Sequence, residues 1–278
     1  MNLKISLNGS QYFEVSVQAL NKESIVNVGL GESIQMDMSI LFSDIRSFTT
    51  MSEGMTPEEN FDFINSYLEQ MEPVVRKHHG FIDKYIGDAI MALFNTNADE
   101  AVKAGIEMLN TLAIYNENRQ KFGYEPVRIG IGIHTGPLML GTIGGAKRME
   151  GTVISDNVNL ASRLESLTKE YGASLIISDQ TFKLLSQPSK YSTRVLAHVK
   201  PKGKKEEVKI MEVCDGDDQE VRDLKMASAS QFEEAVSLFH THELDAAQKI
   251  FQECLIKNPQ DKAAQIYLVR CQGLIRYA

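Results

Sequence analysis

Two aspartates stand where this 278-residue chain could place carboxylates at a metal ion. Asp44 ends a short apolar stretch, residues 39–43, that is typical of a buried strand, and Asp88 follows Gly87 in a predicted turn. If the two segments lie side by side, the carboxylates converge and can bind Mg²⁺, which prefers oxygen ligands and leaves positions for phosphate oxygens. Taken singly, an aspartate after a strand is an ordinary turn former.

A second pair of candidates lies on a predicted helix that Ser155 or Asp156 caps. Asn159 and Arg163 are four residues apart, so both side chains project from one helical face. The arginine could stabilise charge on phosphoryl oxygens, and the asparagine could orient a sugar oxygen. An exposed pair without a catalytic role is the alternative.

Lysines gather near the end of the predicted sheet. Residues 200–209 contain five lysines and two glutamates, a local excess of 5 − 2 = +3, within a chain of net charge −8. Such a patch is a candidate clamp for a triphosphate, with a solvated loop as the alternative. The pI of about 5.4 argues against general nucleic-acid or anionic-membrane binding, because those partners need a broad basic surface.

The apolar patterns predict strands and helices in alternation. The predicted elements are a β-hairpin at 2–20, a strand at 39–43, a helix from Thr56 to Gly80, strands at 81–86 and 89–94, a helix at 98–121, strands at 127–135 and 138–143 around a Gly136-Pro137 turn, a helix to 170, a strand at 175–177, a short helix at 179–185, and strands at 191–199 and 207–213. This order favours an α+β sandwich with helices packed on one mixed sheet.

Three cysteines, far apart and without Cys-x-x-Cys spacing, predict buried reduced thiols rather than a disulfide framework or a zinc site. The apolar runs are much shorter than the roughly 18 residues that span a bilayer, and the first residues lack a signal-peptide pattern. We therefore expect a soluble, cytoplasmic chain with no membrane span.

Four segments together resemble, in order, the signature blocks of class III nucleotidyl cyclases. They are residues 42–49 (FSDIRSFT), 84–94 (KYIGDAIMALF), 133–136 (IHTG) and 156–165 (DNVNLASRLE). The resemblance covers about residues 34–213. It implies a ferredoxin-like α/β sandwich and a homodimer with two active sites built across the subunit interface.

The resemblance also assigns roles to individual residues. One subunit supplies the ligands of two Mg²⁺ or Mn²⁺ ions, and the other supplies the groups that act on the ribose, the α-phosphate and the terminal phosphates. The metal ligands are Asp44, Asp88 and the backbone carbonyl of Ile45; the partner groups are Asn159, Arg163 and Lys202. Phe48 and Thr49 of the first block join the substrate-binding residues.

The base is read by Lys84 and Thr152 if the resemblance holds. Lysine can donate to N1 of adenine, whereas guanylyl cyclases usually carry Glu and Cys at these positions. The resemblance therefore implies an adenylyl cyclase of bacterial type that forms cyclic AMP and pyrophosphate from ATP. Sensitivity to bicarbonate is a further hypothesis. Three positions depart from the family pattern: Gly151, Ser155 and Pro201.

Three alternatives stay open: a guanylyl cyclase, a catalytically weak nucleotide-binding scaffold, and a diguanylate cyclase. The last is disfavoured because residues 144–147 (GGAK) lack the acidic residues expected after that family's paired glycines. Regulatory input is expected from a partner protein or a missing sensor domain, through the N-terminal segment or the C-terminal tail, and the chain could be a fragment.

Composition changes at the acidic segment 215–218 (DGDD). After it, Ala247, Phe251 and Pro259 fit the second helix of a tetratricopeptide unit, with a generic helical hairpin as the alternative. We predict an N-terminal hairpin and linker at 1–33, a catalytic domain at 34–214, a linker at 215–228 and a helical tail at 229–278. One repeat cannot bury its own apolar face, so the tail should dock on the main domain or on a partner.

Overall fold

The computed structural model describes residues 33–145, 148–200 and 207–277. The strands are β1 (Ser33–Ile45), β2 (Gly80–Ile86), β3 (Ala89–Phe94), β4 (Ile129–Gly145), β5 (Arg148–Ile154), β6 (Leu175–Ser178), β7 (Thr193–Val199) and β8 (Val208–Val213). The helices are α1 (Phe48–Ser52), α2 (Pro57–Lys77), α3 (Ala98–Lys121), α4 (Asp156–Tyr171), α5 (Asp179–Lys183), α6 (Gln219–Ala227), α7 (Ala229–His240), α8 (Leu244–Lys257) and α9 (Lys262–Tyr277). The predicted hairpin at 2–20 lies outside the described residues.

One eight-stranded mixed sheet organises the chain, in the order β2-β3-β1-β4-β6-β8-β7, with β5 paired to β4. β1 is antiparallel to both β3 and β4, and β6 is parallel to β4. The main core lies between this sheet and the antiparallel helices α2 and α3, which contribute buried residues such as Tyr67, Met71, Val102 and Met108. The predicted α+β sandwich is confirmed.

Helix α2 begins as its sequence predicts. Thr56 Oγ1 accepts from the Glu59 amide at 3.2 Å, and Glu59 Oε2 accepts from the Thr56 amide at 2.7 Å, which completes a capping box. The predicted stop at Gly80 is wrong by three residues, because the helix ends at Lys77 and His79 adopts the left-handed conformation (φ 59°). Gly80 opens β2 instead, and a Cβ there would overlap the Phe94 ring.

The predicted turn at Gly136-Pro137 does not exist, because β4 runs straight through it. Pro137 is paired with Asp37 of β1, and its carbonyl points to the other side, where it accepts from Ser155 Oγ at 2.8 Å and Asn157 Nδ2 at 2.6 Å. The Pro137 nitrogen, which carries no hydrogen, faces that same side of β4. There it lies between the segment of β4 that pairs with β6 and the segment that pairs with β5. A proline is tolerated there because no ladder hydrogen bond is lost.

The C-terminal helices α7, α8 and α9 pack on the main domain, mainly through β7 and α4. Ala247 and Phe251, the predicted repeat positions, are fully buried, and helix α6 lies inside the segment predicted as a linker. All three cysteines are free and buried, as predicted. Among the described residues, no helix combines the length and apolar character that a bilayer crossing requires.

Candidate active site

Asp44 and Asp88 lie side by side at one end of the sheet. Asp44 is near the end of β1, and Asp88 is in the turn that leads into β3, which pairs with β1. The Ile45 amide donates to Asp88 Oδ2 at 3.3 Å. Burial, and then the charge of Asp44, raises the pKa of Asp88 to about 6. The predicted convergence of these two carboxylates is confirmed.

These carboxylates form a donor set that fits a hard divalent cation. In the described part of the chain, no ion pair joins Asp44 or Asp88 to a cationic side chain. Two half-buried carboxylates in contact repel one another, and a divalent cation between them would relieve that repulsion. Asp44, Asp88 and Ile45 are therefore the residues that would hold Mg²⁺ or Mn²⁺.

A third carboxylate, which sequence reasoning missed, stands next to this pair. Glu165 of α4 is buried, and its Oε1 lies 3.6 Å from Nη1 of Arg46, the residue directly after β1. Burial, and then the charge of Asp44, raises the pKa of Glu165 to about 7, with Arg46 opposing the shift. Arg46 also donates to Thr168. The Arg46–Glu165 pair thus ties α4 to the end of β1.

Helix α4 can approach the sheet this closely because β4 carries a glycine beneath it. A Cβ on Gly132 would overlap the backbone of Glu165 and Ala161. At the other end of the helix, His134 Nε2 lies 3.1 Å from Asn157 Oδ1, and His134 Nδ1 lies 2.7 Å from Ser178 Oγ. Helix α4 is therefore packed on β4 at its middle and at its N-terminal end.

Asn159 and Arg163 lie on the opposite face of α4. Arg163 is two residues from both Ala161 and Glu165, which corresponds to about 200° around the helix from these sheet-facing positions. Asn159 is exposed and lies nine residues, about 14 Å along the axis, from Thr168 beside the metal strand. The structure therefore does not bring Asn159 and Arg163 together with Asp44 and Asp88 of the same chain.

Arg163 has a backbone partner at the end of β7. Its Nη1 donates to the Lys200 carbonyl at 2.7 Å. Lys202, the predicted phosphate ligand, lies two residues further on and outside the described residues. The contact links Arg163 to the strand that leads into the lysine-rich segment.

The two predicted base-reading residues lie on different strands. Lys84 is on β2, and Thr152 is on β5, where it pairs with Gly141 of β4. Lys84 Nζ lies 3.2 Å from Asp83 Oδ2, and the Asp83 side chain is only 1% exposed, against 42% for Lys84. The register of β2 shifts between Ile82 and Lys84, which lets consecutive side chains approach one another. Asp83 is a second residue that sequence reasoning missed.

Phe48 and Thr49, also predicted to bind substrate, occupy α1 just after the metal strand. The Phe48 ring stacks on Phe63 at 6.2 Å and packs against the main core. Thr49 is exposed, and its carbonyl accepts from Ser52 Oγ at 2.9 Å. Phe48 thus anchors α1, while the Thr49 side chain faces outwards.

A separate group of possible metal ligands, Glu212, Cys214 and Asp217, lies at the base of the tail. Lys225 Nζ donates to Glu212 at 2.6 Å and to Asp217 at 2.7 Å, and Arg194 Nε donates to Glu212 at 2.7 Å. The lysine ammonium and the guanidinium already neutralise these carboxylates. This group is an internal ionic network rather than a metal centre.

Comparisons with known proteins agree with this geometry. Residues 32–212 match the family model described as the adenylate and guanylate cyclase catalytic domain. The chain is 44% identical over 203 residues to an adenylate cyclase of Anabaena cylindrica, covering 71% of this chain and 40% of that protein. It is 38% identical over 269 residues to the terminal-differentiation adenylate cyclase of Dictyostelium discoideum, covering 94% of this chain and 13% of that protein. The chain thus spans less than half of either relative.

Solved structures show the same fold. The adenylyl cyclase CyaB of P. aeruginosa is 33% identical, with a TM-score of 0.59 over 66% of this chain and 95% of that one. The guanylyl cyclase Cya2 is 35% identical, with a TM-score of 0.57 over 66% and 93% of the two chains. With the fold, the paired aspartates and the family match in agreement, this chain belongs to the adenylate and guanylate cyclase catalytic domain family.

Proposed function

We propose that this chain is an adenylyl cyclase that converts ATP to 3′,5′-cyclic AMP and pyrophosphate. The observation that carries the proposal is the contact between Asp44 and Asp88, two carboxylates that form no ion pair with a cationic side chain in the described part of the chain. The relatives from Anabaena and Dictyostelium, both named adenylate cyclases, support the same activity.

The reaction is an in-line displacement at phosphorus. The 3′-hydroxyl oxygen of ATP bonds to the α-phosphorus as the bond to pyrophosphate breaks, and the hydroxyl proton is lost to solvent. Two Mg²⁺ ions held by Asp44, Asp88 and the Ile45 carbonyl would lower the pKa of that hydroxyl and neutralise the leaving pyrophosphate. Positioning and charge neutralisation supply the rate, so no protein nucleophile is needed.

The remaining groups orient the nucleotide. Asn159 holds the ribose, Arg163 neutralises the charge that builds on the α-phosphate, and Lys202 binds the terminal phosphates. Phe48 and Thr49, at the start of α1, lie beside the bound phosphates in this proposal. No catalytic role is required of His134, whose hydrogen bonds to Asn157 and Ser178 serve to hold α4.

The active site is a composite of two subunits in this proposal. The orientation of α4 supports it, because Asn159 and Arg163 leave the helix on the face away from their own metal carboxylates. Exposed apolar side chains next to the site, Tyr85 (47%), Ile86 (53%) and Ile154 (61%), supply surface that a second copy could cover. A homodimer would then contain two equivalent sites.

ATP is the proposed substrate because the base-reading position is Lys84. Its ammonium can donate to N1 of adenine, whereas N1 of guanine carries a hydrogen and needs an acceptor. Guanylyl cyclase activity is the second candidate, since the guanylyl cyclase Cya2 is as similar to this chain as the adenylyl cyclase CyaB. The fold alone does not distinguish the two bases.

The test is turnover of ATP and GTP by the purified chain, with Mg²⁺ and with Mn²⁺, and separation of cyclic nucleotides and pyrophosphate by chromatography. Cyclic AMP from ATP, with little product from GTP, is the expected result. Cyclic GMP as the main product would overturn the base assignment. Nucleotide binding without product under any of these conditions would favour the scaffold alternative over a cyclase.

A further inference from the structure

The helix that carries Asn159 and Arg163 is covered by the C-terminal tail. Leu160, Leu164 and Tyr171 of α4 share one apolar cluster with residues of α7, α8 and α9. Within it, the Tyr171 and Tyr267 rings lie 6.1 Å apart, and Tyr267 stacks on Phe251 at 5.0 Å. Helix α4 thus packs against β4 on one face and against the tail on an adjacent face.

Two cationic side chains of α9 bind the C-terminal end of α4. Lys262 Nζ donates to the Lys169 carbonyl at 3.0 Å. Arg270 Nη1 donates to the Tyr171 hydroxyl at 3.1 Å, and Arg270 also forms an ion pair with Glu170. The last carbonyls of a helix lack intrahelical partners and carry partial negative charge, so cations stabilise this end.

The backbone after α4 is shaped for this contact. Gly172 takes the left-handed conformation (φ 69°) that ends the helix. A Cβ at this position would lie 2.7 Å from Cβ of Lys262. Helix α9 therefore starts directly against the end of α4.

The tail also forms hydrogen bonds with β7. Arg194 of β7 is fully buried and donates to Asp261, the residue before α9, at 2.5 and 3.0 Å. The Tyr267 hydroxyl donates to the Leu196 carbonyl at 3.1 Å. The same strand ends next to Lys200, whose carbonyl accepts a hydrogen bond from Arg163. The tail therefore contacts α4 and β7, the two elements next to Arg163. Its main contacts do not include β1 and β3, the strands next to Asp44 and Asp88.

We infer that Lys262 and Arg270 are positioning residues for the proposed cyclase reaction, acting through α4 on Asn159 and Arg163. The inference rests on the proposed function. Small displacements of a group that must meet the transition state reduce the rate strongly, so loosening α4 lowers kcat.

The relative from Dictyostelium supports a joint role. The match covers 94% of this chain and leaves about 17 residues outside (6% of 278), fewer than the 50 residues of the predicted tail. At least part of the tail is therefore shared together with the cyclase domain.

The test compares Lys262→Ala/Arg270→Ala with the wild-type chain. Lys249→Ala is the matched control, because Lys249 is an exposed tail lysine with no ion pair in the described part of the chain. We expect about a fivefold fall in kcat, with the Mg²⁺ concentration for half-maximal rate unchanged. Lys249→Ala should match the wild type, and Arg270→Lys should retain most of the rate because its ammonium can still pair with Glu170.

A second measurement does not depend on activity. Hydrogen–deuterium exchange of residues 156–171 should be faster in the double variant, while residues 33–45 keep their wild-type exchange. Unchanged exchange in α4, or an unchanged kcat in an active enzyme, would overturn the inference. A fall in kcat with a parallel shift in Mg²⁺ dependence would also overturn it, since that would place the effect on Asp44 and Asp88, through Glu165 and Arg46, rather than on Asn159 and Arg163. A wild-type chain that makes no cyclic nucleotide contradicts the proposed function, whereas unchanged exchange in α4 contradicts the inference, so the two failures are distinguishable.

Discussion

The two halves of the proposed active site are built in different ways. The metal corner is assembled within one chain from the ends of paired strands, with Asp44 and Asp88 in contact and Glu165 buried nearby. Asn159 and Arg163, by contrast, point outwards from α4 and do not reach that corner. In the proposed site, the metal-binding half is therefore complete in one subunit, whereas Asn159 and Arg163 would act on the nucleotide bound to a second subunit.

The largest effect should come from the metal corner. Asp44→Asn keeps the shape of the side chain but removes the charge that holds the cation, so kcat should fall by about 10³-fold or more. Steady-state turnover with Mg²⁺ and Mn²⁺ measures it, and thermal unfolding checks that the fold is intact. Turnover near the wild-type rate in a folded Asp44→Asn protein would refute the metal assignment.

The outward-facing half should show a smaller loss with a different signature. Arg163→Ala removes one donor to the α-phosphate and should lower kcat by about 10²-fold. Because Arg163 supplies none of the metal ligands, the Mg²⁺ concentration for half-maximal rate should not change. A large change in that concentration would mean that Arg163 also affects metal binding.

The base-reading position offers a subtler test. Asp83 is buried, and burial raises its pKa, while the neighbouring Lys84 ammonium opposes that shift. Asp83→Asn should loosen Lys84 and raise KM for ATP about tenfold, the effect of one lost charged hydrogen bond, with kcat less affected. Asp37→Asn, at an exposed position elsewhere on the surface, is the control. An unchanged KM would show that Asp83 has only a structural role.

The smallest effect concerns stability. Asp88 and Glu165 have pKa values of about 6 and 7, above their ordinary values, so the folded state retains protons that the unfolded state has released. In EDTA these two groups should therefore lower the melting temperature by a few degrees as the pH rises from about 4.5 to 7. Mg²⁺ should raise the melting temperature more at pH 8 than at pH 5.5. A stabilisation by Mg²⁺ that is equal at both pH values would contradict this assignment.

Local signals predicted most of the fold. The capping box at Thr56, the Gly87-Asp88 turn and the apolar period of α3 each determine their own segment, so these elements appear as predicted. The turn predicted at Pro137 was wrong because a proline fits inside β4 only where no neighbouring strand requires a donor. Whether that holds depends on the arrangement of the whole sheet.

The site was predicted in part for the same reason. Asp44 lies beside Asp88 because β1 pairs with β3, and the order of the predicted strands suggests that pairing. Glu165 contacts Arg46, which lies 119 positions earlier in the chain, and no local pattern indicates that contact. Asp83 was missed because alternation would place it on the opposite face of β2 from Lys84, and only the register shift brings the two charges together.

The central claim is that metal carboxylates and transition-state groups from different subunits form one site. Mixing Asp44→Ala and Arg163→Ala chains tests it most directly, because a heterodimer of the two would contain one site with every group intact. The account predicts that each variant alone is nearly inactive and that an equimolar mixture recovers about a quarter of the wild-type turnover: half of the dimers are mixed, and each has one intact site of two. A mixture that remains as inactive as its components, although the subunits exchange, would contradict the account.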